Sequence, residues 1–145
     1  MSVRSSIAKE LANKLKLING SSPYSTKLYS ANILTYLKFW DEINDFPTVC
    51  IVPGYETREY HPGGFKWGFL NLSLKLYVYG EDSLEKLELL LQDVERVLTN
   101  NERLIYDSAD NKATTEILIT SITTDEGLLS PYGVGEMNIS VRYEV

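Results

Sequence analysis

In Leu70-Asn71-Leu72-Ser73-Leu74-Lys75-Leu76-Tyr77-Val78, apolar side chains occupy every second position. A period of two is that of a strand with one buried face. After Gly80-Glu81-Asp82 the period becomes helical, carried by Leu84, Leu87, Leu91, Val94 and Leu98, with Leu90 and Val97 widening the stripe. Residues 65–98 therefore predict a long strand, a tight turn and an amphipathic helix over about 83–99. Asp82 and Glu85 stand at the spacing of a capping box at its start. The same alternation returns at the end of the chain, where Ile139, Val141, Tyr143 and Val145 interleave with Asn138, Ser140, Arg142 and Glu144.

Weaker patterns fill in the rest. Ile7, Leu11, Leu15 and Ile18 recur at helical spacing over 3–18, and Asn19-Gly20 is a natural stop. Residues 20–27 read as a polar turn. Residues 28–40 fit either a helical stripe (Tyr29, Ile33, Tyr36, Leu37, Trp40) or, through Tyr36, Phe39 and Trp40, a short strand or a partner-facing patch. The β-branched run 46–53 predicts a strand bracketed by Pro47 and Pro53. The polar residues 54–64 predict the extended tip of a hairpin joining it to 65–79. Further short strands are expected at 103–106 and 116–122, with polar connectors at 107–114 and 125–136. The sum is one α+β domain over 1–145: two layers, a mostly antiparallel sheet with a long hairpin, and both helices on one face.

Composition narrows the class. A chain of 145 residues that is 43% hydrophobic supports a single core without staples. Cys50, the only cysteine, lies among Val49, Ile51 and Val52 and reads as a small buried hydrophobe. Neither a leader segment nor an apolar run of membrane-spanning length is evident. Net charge is −6 and uneven: residues 1–50 hold six Lys/Arg and four Asp/Glu, and residues 51–145 eight and sixteen. Such a balance favours DNA sliding past over DNA binding.

Candidate chemistry is thin. Gly63-Gly64-Phe65-Lys66-Trp67-Gly68 precedes a strand, whereas phosphate-cradling loops precede a helix. Glu56, Glu59 and the single histidine, His61, sit in a mixed polar loop that reads as solvated surface, not as a metal site. No serine occupies a nucleophile elbow, Cys50 is hidden, and Asp107 and Asp110 lie in a polar turn. The expectation is a protein without catalytic residues, cofactor or metal. Trp67, Phe69, Tyr77 and Tyr79 share the outward parity of the long strand. As a base-stacking ledge they lack accompanying cations. As aromatic cover they suit a subunit interface, unless the connectors 100–114 and 125–136 shield them. Tyr55, Arg58, Tyr60 and His61, in the loop, complete the expected contact surface. Deleting 56–62 is expected to impair assembly and leave the monomer folded.

The order, length and spacing of these segments resemble those of phage tail terminator proteins. The resemblance rests on the helix around Ile7–Ile18, Phe46-Pro47-Thr48-Val49, the hairpin Gly54 to Tyr79, the helix start Asp82-Ser83-Leu84-Glu85-Lys86-Leu87 and the closing strand Glu136 to Tyr143. It implies a virion protein at the tail–neck junction, assembled in the host cytoplasm. It implies a homo-oligomeric, hexameric ring on the last ring of tube protein, contacts to neck or connector protein and, in a contractile tail, to sheath. DNA would pass a channel lined by the sheet without specific binding, and no membrane would be involved. Rival readings are a neck or head-closure protein, a small adaptor domain and, last, an enzyme.

Overall fold

The computed structural model describes residues 2–145. Its elements run α1 (Val3–Leu15), β1 (Ile33–Leu34), β2 (Thr48–Tyr60), β3 (Lys66–Tyr79), α2 (Ser83–Asn100), β4 (Ile105–Asp107), β5 (Lys112–Ala113), β6 (Glu116–Thr124) and β7 (Tyr132–Glu144). Five strands form one sheet in the order β1-β2-β3-β7-β6. All pairings are antiparallel except β1 with β2. β4 and β5 make a separate small hairpin. The expected α+β architecture is present.

Both helices pack on one face of the sheet. Leu70, Leu72, Leu74, Leu76 and Val78 of β3 alternate into that layer with Met137, Ile139 and Val141 of β7, and all are buried. From the helices come Ile7, Leu11 and Leu15, and Leu87, Leu90, Leu91, Val94, Val97 and Leu98. The inner stripe of α2 thus starts one turn later than its periodicity suggests, because Leu84 is half exposed. Asp82 does not cap α2 through its side chain; it pairs with Lys86 at 3.3 Å instead. The layers approach closely at Gly133. A Cβ there would lie 2.6 Å from Val78 Cγ2 and 3.0 Å from the Ser83 carbonyl oxygen, so only glycine lets α2 begin against β7.

Three segments depart from expectation. First, β2 does not end at Pro53. It continues to Tyr60 across a register shift between Pro53 and Glu56. A bulge is where a proline fits in a ladder. The hairpin tip shrinks to His61–Phe65, closed by the His61 N–H donating to the Phe65 carbonyl at 2.8 Å. Deleting 56–62 would therefore remove paired strand, not only loop. Second, β7 starts at Tyr132, so the connector before it spans only 125–131. Third, 28–40 is neither a helix nor a lone strand. It holds a 3-10 turn at Ser30–Asn32, the two residues of β1 and the start of a second 3-10 turn at Trp40–Glu42.

That third segment has a packing role. With 41–47 it folds over the sheet face opposite the helices. Ile43, Leu34, Trp40 and Phe46 enclose Cys50, Tyr77 and Val134 there. The Tyr77 hydroxyl donates to the Lys38 carbonyl at 2.6 Å. Burial pushes the Cys50 thiol up, in keeping with its role as an inert hydrophobe.

Two tyrosines set an alkaline limit on the fold. Burial, with smaller contributions from nearby acidic groups, pushes Tyr77 up to about 12. Burial and then the hydrogen bond to Glu56 push Tyr143 up to about 12. Both rings are favoured neutral in the folded chain, so the stability they contribute is full below pH ~10 and is lost as pH rises from ~10 through ~12. Thermal melts across that window should fall, and Tyr143→Phe should flatten the fall while lowering neutral-pH stability by about 1 kcal/mol. An unchanged slope in the variant would refute the assignment.

Candidate assembly surface

The sheet face away from the helices is built by the odd positions of β3 and the even positions of β7. At its centre Asn71 stands opposite Ser140, and Ser73 opposite Asn138. Ser73 donates to the Asn138 side-chain oxygen at 2.8 Å, and the Asn138 amide donates to Ser121 Oγ at 3.1 Å. This belt is polar and uncharged. Charges flank it in pairs. Lys75 meets Glu136 at 2.8 Å across the strands. Arg142 lies 3.8 Å from Glu116, and its guanidinium is 4.7 Å from the centre of the Trp67 ring. Lys75 and Arg142 are therefore both engaged, and neither offers an unpaired cation to a phosphate.

The expected contact residues divide into three groups. Trp67 and Phe69 lie partly exposed on this face, and Phe65 stands edge-on to Trp67 at 5.1 Å. Tyr77 is enclosed by the 28–47 segment and is 3% exposed; of the two stretches expected as its cover, 125–136 contributes Val134 and 100–114 contributes nothing to this cluster. Tyr79 is exposed at the far end, in an aromatic group with Tyr132 (5.0 Å) and Phe46 (5.7 Å).

Tyr55, Arg58, Tyr60 and His61 are all exposed along the distal half of β2 and the tip. Lys66 Nζ sits 5.5 Å above the Tyr60 ring, and His61 Nε2 is 3.4 Å from Glu59. Arg58 donates to Glu56 at 2.7 Å, and Glu56 also accepts from the Tyr143 hydroxyl at 2.8 Å. That carboxylate raises the Arg58 pKa further, chiefly through the hydrogen bond. Glu56 anchors the strand after the bulge. Glu56, Glu59 and His61 do not gather as ligands, and no group of three His, Cys, Asp or Glu that could hold a metal occurs among the described residues.

β6 carries a surface that residue type alone did not single out. Among the described residues it pairs only with β7. From Ile117 to Thr124 it has no charge and no proline. α2 packs over β3 and β7, so Ile122 is 43% exposed on the helix side, and Leu118 is 52% exposed on the other. Natural edge strands are normally blunted by charge, proline or brevity. Here the only blunting devices are Glu116 at the start of the strand and the register shift between Ile119 and Ser121. The signal was legible as an uncharged β-branched run, but not its place at the sheet edge. On the opposite edge β1 pairs with β2 only at Val49 and Cys50. Residues 51–60 have no outer strand among the described residues, but they carry Pro53, a register shift and the charges Glu56, Arg58 and Glu59, and Arg4 donates to the Gly54 carbonyl.

A model of the Bacteriophage Tail Tube Terminator Protein family matches residues 1–145, the whole chain. The chain belongs to the phage tail tube terminator family. It is 38% identical over 154 aligned positions to Tail tube terminator protein p142 of Escherichia phage T5, covering 99% of this chain and 95% of that one. Its fold is similar to that of a chain in the virion of a native gene transfer agent particle, with a TM-score of 0.62 at 7% identity, covering 96% of this chain and 98% of that one. The terminator is a structural virion protein that ends tail tube polymerisation. The uncharged edge strand and the neutral face thus belong to a protein of assembly. Among the described residues of this terminator, no helix is long and apolar enough to cross a membrane.

Proposed function

We propose that the terminator closes into a homo-oligomeric ring, hexameric in number, seated on the last ring of the tail tube and offering its other side to the neck or connector. The observation that supports this most is the edge strand β6, uncharged from Ile117 to Thr124, on one side of a sheet whose other side leaves most of β2 without an outer strand. An uncharged strand at one edge can extend the ladder of a neighbour at the other, and head-to-tail pairing of this kind closes a ring when the rotation allows. The face carrying Asn71, Ser73, Asn138 and Ser140 then looks into the channel. Its neutral belt and its paired cations give passing DNA no phosphate grip. His61–Phe65, at one end of the sheet, is the segment placed to touch the tube. No catalytic step is assigned, and a sheath contact would apply only in a contractile tail. The ring is assembled in the host cytoplasm and carried at the tail–neck junction of the virion.

Negative-stain imaging of the purified protein, alone and mixed with tail tubes, tests the reading. Six-fold rings at one end of each tube, and tubes that stop growing, are expected. Open-ended growth would mark a tube subunit, and rings that dock only on a twelve-fold portal would mark a head-closure protein.

A further inference from the structure

Leu128 is 85% exposed, more than any other large apolar side chain described. Its turn is not loosely held. The Leu128 N–H donates to the Asp125 carbonyl at 3.0 Å, while the Asp125 carboxylate accepts from the Leu129 and Val134 N–H groups at 3.0 and 3.1 Å. Gly127, at φ 85°, and Glu126, at φ 56°, complete the bend. A turn fixed this firmly holds a leucine in water, where its apolar surface gains by being covered.

A complementary hollow lies at the same end of the sheet, toward its other flank. Phe46, Pro47, Val78, Leu89 and Leu90 line a cleft of about 390 Å³ together with Lys27 and the Asp82–Lys86 ion pair. Among the described residues Lys27 has no carboxylate within 4.0 Å; its Nζ lies 5.0 Å over the Tyr29 ring. The turn around Leu128 carries the exposed acid Glu126. The knob follows β6, one edge strand, and the hollow opens beside Phe46 and Pro47, which lead into β2 on the other flank of the sheet.

From this complementarity we infer that Leu128 of one copy fills the cleft of the next copy, with Glu126 meeting Lys27. The inference rests on the head-to-tail ring proposed above and adds a specific locking contact to it. An apolar anchor in a pocket, rimmed by opposite charges, is the form that interface hot spots take.

The test uses the whole protein with tail tubes. Leu128→Glu should lower the fraction of chains in rings by about tenfold or more, leaving the monomer melt unchanged. Glu126→Lys should weaken assembly, and Glu126→Lys with Lys27→Glu should restore it. Mixed copies carrying Leu128→Cys and Leu89→Cys, treated with a short bismaleimide, should yield a covalent dimer of unlike copies. Rings that form normally with Leu128→Glu would overturn the lock and spare the ring. Cross-linking of Leu128→Cys to tube or neck protein in place of the second copy would do the same. Absence of rings in the unaltered protein, alone and on tubes, would overturn both.

Discussion

Leu118→Lys with Ile122→Lys should abolish ring formation on tail tubes while the monomer melts as before. Both side chains are about half exposed in the monomer, so lysine at either site can keep its charge in water, and little folded-state packing is lost. In a ring the same charges would be driven against a neighbour's strand. A buried unpaired charge at an interface costs several kcal/mol, and each copy in a closed ring would bear that cost. Lysine is also what natural edge strands use to refuse pairing. Sedimentation or light scattering gives the assembly state, and tail length in imaged particles gives the function. Rings and tail lengths indistinguishable from those of the parent protein would remove β6 from the interface.

Asp93→Ala should cost the fold about 2–3 kcal/mol. Asp93 is on α2 and 1% exposed. Its carboxylate accepts from the Ser25 N–H at 3.0 Å, the Thr26 N–H at 2.7 Å and the Thr26 hydroxyl at 2.5 Å. Alanine would remove the acceptor shared by three donors, those of Thr26 being half-buried. Thermal denaturation should show a loss on the order of 10 °C for a chain of this size, with Asp93→Asn intermediate because one acceptor oxygen remains. A drop of only a degree or two in Asp93→Ala would mean that water reaches the site freely. The carboxylate also fixes the 20–27 segment beside the cleft, so the variant should assemble poorly even where it still folds.

Legibility in the sequence followed burial. β3, β7 and α2 were readable because each turns one face to the core, which imposes a clean period on Leu70–Val78, Ile139–Tyr143 and Leu87–Leu98. The outer half of β2 was not, because Gly54–Tyr60 runs past the core and nothing selects apolar residues there; its polar text resembles a loop. The 28–47 segment was unreadable for the opposite reason. Its apolar residues serve an irregular lid over Tyr77 and Cys50, and a lid has no period. Residue types likewise pointed to the aromatics as a contact surface, but only the fold separates Tyr77, enclosed, from Tyr79, exposed. Leu118, Ile122 and Leu128 are ordinary in composition and become conspicuous once β6 is known to stand at the edge.

The lid over Tyr77 has one more consequence. It pads the sheet face away from the helices at one end only, the end where β3 finishes, and leaves the Trp67 end bare. In a ring with its sheets facing the bore, the passage would be a funnel, with a throat formed by Trp40, Phe46 and their neighbours. The bore of the proposed ring would then be narrowest at one rim, where packed aromatic side chains set its width.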